Sequence, residues 1–231
     1  MSSARESPPL ADVLREFVDL SPEVERAIDA AFVPRELPVH GRLVGAGEIC
    51  TRIAFVERGL LIAYSVESGR DVSCDVFSEG DFATDYVSFL GQTPSTVDLV
   101  ALEPCSLLTV SREALDRLYD EFPAVDRLGR RIAEAQYIGV VRRASALLTQ
   151  TPAERYQAFA RQRPDLLDRL PQYLLAKWLG ITPESLSRIR RRIVTTQRIA
   201  TGTSRRVPSK SKAPSTKSGG PKVPRASREK P

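Results

Sequence analysis

One histidine, His40, one methionine, one tryptophan and three cysteines are all that the 231 residues hold of those types. A lone histidine cannot furnish both a nucleophile's general base and a metal-ligand set. Cys50, Cys74 and Cys105 are odd in number, far apart and in no CxxC pair. That argues against a disulfide framework, a zinc site or an iron–sulfur centre, and for buried thiols in a reducing cytoplasm. No apolar run approaches the roughly 18 residues of a transmembrane helix. The amino terminus, Met1-Ser2-Ser3-Ala4-Arg5-Glu6, has no apolar stretch of the kind a secretory signal needs. No glycine-rich phosphate loop, metal-ligand spacing or nucleophile–base set occurs. The expectation is a cytoplasmic protein that is not an enzyme, with no catalytic residue, no metal site and no membrane partner.

What is present is enough apolar material for a core, 42% of the chain. The length allows one large domain or two small ones. Charge is unevenly placed. Lys plus Arg number 34 against 29 acids, a net +5. Residues 195–231 hold ten basic side chains and one acid, so this stretch carries +9 and residues 1–194 carry −4. With its Ser, Thr, Pro and Gly content and no periodicity, the stretch reads as a disordered basic tail.

Patterning divides the rest. Leu10, Val13, Leu14 and Phe17 share a helical face, and Ser21-Pro22-Glu23 opens a second helix. From about residue 33 to 110 the period shortens. Apolar segments at 40–44, 52–57, 60–66, 71–77, 97–102 and 105–110 alternate with Gly-containing turns, as in an antiparallel sandwich or barrel. Residues 83–90 break that pattern as a short helix. After Ser111 the chain is helical. Pro123 starts a helix reaching about Thr149, with an apolar stripe of Val125, Leu128, Ile132, Ala135, Ile138, Val141, Ala144 and Leu148. A helix so long must lie against the β-domain or a second copy of itself.

The most informative stretch is 170–193. Leu175, Ala176 and Leu179 are the apolar residues of one helix, with Ala176 small where a second helix crosses. Gly180 supplies the turn, Ile181 plugs the angle, Thr182 caps, Pro183 takes the first helical position, and Leu186 and Ile189 face inward. Glu184, Ser185, Arg188, Arg191 and Arg192 face out. That is the layout of a helix-turn-helix whose second helix enters the major groove. There Arg188 suits guanine and Glu184 suits cytosine, and the arginines at the end suit phosphates.

The order of helices, β-segments, long helix and C-terminal helix-turn-helix resembles the Crp/Fnr family, that of the catabolite activator protein and the fumarate–nitrate reduction regulator, over about residues 10–194. Gly47-Glu48, Arg58-Gly59 and Gly80-Asp81-Phe82 match its roll-turn glycines. Leu179 to Ile189 matches its recognition motif. The resemblance implies an α+β fold: an N-terminal antiparallel β-roll of the cyclic nucleotide-binding type with flanking helices (1–122), a long dimerisation helix (123–149), an all-helical DNA-binding domain (150–194) and the basic tail (195–231). It implies DNA contacts by Thr182, Glu184, Ser185, Arg188, Arg191 and Arg192, and a homodimer joined through Leu128, Ile132, Ala135, Ile138 and Val141. Double-stranded DNA and RNA polymerase are the implied partners. No β-hairpin wing follows the motif, as in a wingless subgroup of the family.

The family's nucleotide cassette departs from its pattern here. Thr84 stands for the glycine, Asp85 for the glutamate, and Pro94 for the arginine that neutralises the cyclic phosphate. A buried phosphate without its cation is costly, so no cofactor is expected, cyclic AMP included. Thr84, Asp85, Tyr86, Ser95 and Thr96 remain candidates for lining a pocket for some other small effector. Two functions follow: a sequence-specific transcriptional regulator, or a cyclic-nucleotide-domain-like module acting on a protein partner.

Overall fold

The computed structural model describes residues 7–67 and 70–200. The chain falls into two units, residues 1–191 and residues 192–231. The first unit begins with α1 (Leu10–Arg15) and α2 (Pro22–Ala31), the latter capped by Ser21, whose hydroxyl accepts from the Val24 N–H. Eight strands follow: β1 (Val33–Leu37), β2 (Arg42–Val44), β3 (Arg52–Arg58), β4 (Leu61–Glu67), β5 (Arg70–Phe77), β6 (Phe82–Ala83), β7 (Asp98–Ala101) and β8 (Cys105–Ser111), with α3 (Tyr86–Gly91) between β6 and β7. They pair antiparallel into two four-stranded sheets, β1-β8-β3-β6 and β2-β7-β4-β5.

The inner faces of the two sheets make one core. Ala54 and Val56 of β3 meet Leu61 and Ala63 of β4, Leu99 of β7 and Leu107 of β8 there. The intervening residues point outward and are still covered. Phe55 packs on Phe82, ring centres 5.3 Å apart, beneath Leu14, Ile28, Leu118 and Leu128 of the flanking helices. Across the roll, Leu60 and Ile62 lie under Leu174 and Leu175. Strands buried on both faces lose the alternation of a half-exposed sheet, which is why 52–57 and 60–66 read as nearly continuous apolar runs. Gly47, Gly59 and Gly80, the three roll-turn glycines of the resemblance, all have positive φ. His40 also has positive φ and sits in an exposed turn.

Two strands were not foreseen. β1 contains Pro34, which argues against a strand, yet β1 is an edge strand that pairs only with β8 and so needs few donors. β6 is two residues long, too short to carry a period. Cys50 and Cys105 are buried free thiols, and burial pushes the Cys105 thiol up to about 11.

After the roll come α4 (Arg112–Glu121), α5 (Pro123–Thr149), α6 (Pro152–Gln162), α7 (Leu166–Arg169), α8 (Gln172–Trp178) and α9 (Pro183–Ala200). α9 runs six residues past the end expected at Val194, so the basic tail is not disordered from residue 195: residues 195–200 are helical. No glycine or proline interrupts the chain from Glu184 until Gly202, so nothing stops the helix sooner. The remainder of the tail, 201–231, lies outside the described residues.

α5 needs a second correction. Val125 and Leu128 are buried within the chain, against Leu118 and the N-terminal helices, and Ile132 is partly buried there. Leu128 is therefore not free to meet a second copy. Beyond it the helix exposes Tyr137, Ile138, Val140, Val141, Leu147 and Leu148. At about 100° per residue, Tyr137, Val141, Ala144 and Leu148 lie in one line, on the side away from Leu128. The apolar stripe is thus two stripes: an early one serving the chain's own core, and a later one left uncovered.

Candidate nucleic-acid interface

α8 and α9 are joined by a turn that the local sequence dictates. The Ile181 N–H bonds the Ala176 carbonyl at 2.9 Å and the Gly180 N–H bonds that of Lys177 at 2.9 Å. This is a Schellman closure, with Gly180 at the left-handed position, φ +66°. A Cβ on Gly180 would also meet Leu147 Cδ2 of α5 at 2.8 Å. Thr182 Oγ1 accepts from the Ser185 N–H at 3.2 Å, and so caps α9.

The inner side is closed. Leu175, Ala176, Leu179 and Leu186 are completely buried, together with Phe159 of α6 and Leu166 of α7. Ile181 is partly buried in the same cluster, and the Phe159 and Trp178 rings lie 4.8 Å apart. Each large side chain here contributes about 2 kcal/mol by leaving water. Arg155 of α6 donates to the Leu179 carbonyl at 2.8 Å and fastens the turn from behind.

The outer side is open. Thr182, Glu184, Arg188 and Arg191 are exposed and Ser185 is half-buried, all on the first two to three turns of α9. The Glu184 carboxyl is held below its ordinary range by its own backbone N–H, the Thr182 hydroxyl and the nearby Arg188. Arg191 reaches Ser187 Oγ at 3.2 Å. The outward orientation expected from the sequence is thus met by Thr182, Glu184, Arg188 and Arg191, with Ser185 half-buried. Arg192, also exposed, opens the second unit.

A feature without sequence warning holds this motif to the roll. Arg169, at the end of α7, makes two forked pairs. One is with Glu79, after β5, at 2.7 and 3.0 Å; the other is with Glu103, after β7, at 2.7 and 3.1 Å. Glu79 also accepts from the Gly59 N–H at 2.9 Å. Arg163, at the end of α6, adds Ser78 and Asp81. On the α5 side, Arg143 pairs with Asp75 of β5 and stacks over the Trp178 ring, 4.7 Å from its centre. Burial pushes the Glu79 carboxyl up, but the Arg169 guanidinium and the Gly59 N–H outweigh it, and the net direction is down. The stability that this carboxylate contributes is complete above the ordinary glutamate value of 4.5 and is lost as pH falls through the lower folded value. Acidification below about pH 5 is therefore expected to destabilise the protein, more steeply than it does Glu79→Gln, in urea melts across that range.

The candidate effector residues do not converge on an open pocket. Thr84 is buried, and its hydroxyl bonds the Arg52 carbonyl at 3.1 Å. Asp85 caps α3, accepting from the Val87 and Ser88 N–H groups. Ser95 is buried, with its hydroxyl on the Val97 carbonyl and its backbone paired to Gly47 and Glu48. Thr96 is exposed. Tyr86 lies apart from these, against α4 and the start of α5.

The two sheets with their inner core, the helix-bearing crossing between them and the C-terminal helix-turn-helix define the class: an antiparallel β-roll followed by a helical region that ends in a helix-turn-helix. Residues 34–122 match the family model of the cyclic nucleotide-binding domain. No curated protein matches the chain. Among solved structures, the chain shares its fold with the c-di-GMP-responsive global regulator CLP of Xanthomonas campestris, at 17% identity, covering 77% of this chain and 93% of that one, TM-score 0.58. A Eubacterium rectale protein assigned to transcriptional regulators of the Crp/Fnr family gives 15% identity, 82% and 88% coverage and TM-score 0.59. A Silicibacter pomeroyi protein assigned as a cAMP-binding regulatory protein gives 25% identity, 74% and 81% coverage and TM-score 0.55. The antiparallel β-roll with a helical C-terminal region, expected from the resemblance, is the architecture found. Among the described residues no helix is long and apolar enough to cross a membrane.

Proposed function

We propose that the protein is a dimeric, sequence-specific DNA-binding transcriptional regulator of the cytoplasm, without enzymatic activity. The observation that carries this reading is the exposed start of α9, capped by Thr182 and locked by the Gly180 turn, with Glu184, Arg188 and Arg191 facing outward. Such a helix fits the major groove, and two of them on a two-fold axis would read half-sites about 34 Å apart. RNA polymerase is the further partner that regulation implies.

Cyclic AMP does not suit the roll. Residues 83–96 contain no Lys or Arg, Asp85 is already engaged as a helix cap, and the Thr84 and Ser95 hydroxyls are bonded within the protein. A cyclic phosphate there would lack the cation that burial demands.

The basic stretch after α9 is a sequence-independent arm on DNA, raising affinity through counterion release. The test is selection of bound sites from random DNA, followed by gel shifts at two salt concentrations. Arg188→Ala is expected to cost about 1–3 kcal/mol on the selected site and to relax preference at one base position. Removal of residues 201–231 is expected to flatten the salt slope and leave preference intact. Failure to select any sequence would favour a module that acts on a protein partner.

A further inference from the structure

Between the outer face of the β1-β8-β3-β6 sheet and helices α2, α4 and α5 lies a cavity of about 110 Å³. Its wall is apolar, built from side chains such as Ile28, Phe82, Phe89, Leu118, Leu128 and Ile132, and none of its lining residues is Asp, Glu, Lys or Arg. Exposed Leu90 and Ala133 stand at its rim. Thr84, Asp85, Ser95 and Thr96 are not among its lining residues, so this is not the family's nucleotide cassette.

Two phenols complete the wall: Tyr86 from the start of α3 and Tyr119 from the last turn of α4. Neither phenolic oxygen is among the sealed, unpartnered polar atoms of the described residues, so both are open to water or to a ligand. Half-buried phenols ordinarily find a partner. The Tyr119 hydroxyl occupies space that any side chain at position 129 would take, since a Cβ on Gly129 would lie 2.5 Å from it. A glycine inside a long helix costs about 1 kcal/mol relative to alanine; here it makes room for that hydroxyl at the cavity wall.

We infer that this cavity is a binding site for a small, uncharged, single-ring aromatic molecule bearing one hydroxyl or carbonyl group, held by the two phenols. Size limits the occupant to a single ring: apolar cavities of roughly 150 Å³ take benzene, this one is about 110 Å³, and its exposed rim lets part of the molecule project. The uncharged character follows from a wall with no counter-ion. Burial and the neighbouring Tyr119 push the Tyr86 phenol up to about 12, so it keeps its proton and can donate. The inference is independent of DNA binding, because its test reads the ligand alone.

The test titrates phenol, and separately benzene, into the full chain carrying labelled Ile and Leu methyl groups. Phenol is expected to shift the methyl resonances of Ile28, Leu118, Leu128 and Ile132, and to bind about fivefold more tightly than benzene. Tyr86→Phe with Tyr119→Phe conserves the shape. It is expected to abolish that preference while benzene still binds. No shift of those methyls by either probe, at concentrations that leave the protein folded, would overturn the inference. So would an undiminished phenol preference in the double variant.

Discussion

Arg169→Ala is expected to destabilise the protein by about 3 kcal/mol, the cost of stranding charges that a buried guanidinium had satisfied. The Arg169 side chain is 20% exposed and Glu79 only 9%, whereas Glu103 is 35% exposed. Most of the loss therefore comes from Glu79, which keeps only backbone donors, the Gly59 N–H and its own, while Glu103 is rescued in part by water. The measurement is urea unfolding at neutral pH. A triple replacement of Arg169, Glu79 and Glu103 by apolar residues of similar size is the necessary companion, because exchanging a whole buried ionic group is often neutral. Arg169→Ala must fall well below that triple variant. Equal stability would mean that the Arg169 clamp adds nothing to the apolar contact of Leu60, Ile62, Leu174 and Leu175 and to the Arg163 and Arg143 pairs.

The clamp also marks where sequence reasoning stops. Thr182, Gly180 and Leu186 were legible because a cap, a left-handed turn and an inner-face leucine are decided by residues within one or two turns. Arg169 is 66 residues from Glu103 and 90 from Glu79. No local rule pairs charges across such a span; only the docking of α7 on the β5–β6 and β7–β8 turns does. β1 was hidden for the opposite reason, since Pro34 carries a strong local signal against a strand that an edge position tolerates. Two of the candidate effector residues are already engaged within the protein. Asp85 and Ser95 are chemically fit to meet a ligand, but the first N–H groups of α3 take the Asp85 carboxylate and the Val97 backbone takes the Ser95 hydroxyl. The Tyr86–Tyr119 cavity had no sequence signal except Gly129, an unexplained glycine within a helical stripe.

In the proposed dimer, Val141→Glu is expected to raise the dissociation constant about a hundredfold, near 3 kcal/mol, and so to favour the monomer. The substitution sits on the line of Tyr137, Val141, Ala144 and Leu148, spaced by four, three and four residues as in a two-stranded coiled coil. Val141 is 47% exposed in the single chain, so a carboxylate there leaves the fold intact; in a dimer it would face its own copy across an apolar seam. Sedimentation across a concentration series reads the change directly. Leu128→Ala makes the opposite test, since Leu128 is 4% exposed and packs within one chain. It should cost about 2–5 kcal/mol of folding stability and leave the association of the folded fraction unchanged. If Val141→Glu remains dimeric, the two copies meet elsewhere. If it is monomeric, affinity for a paired half-site should collapse toward that of a single half-site, because the second recognition helix then adds nothing to the first.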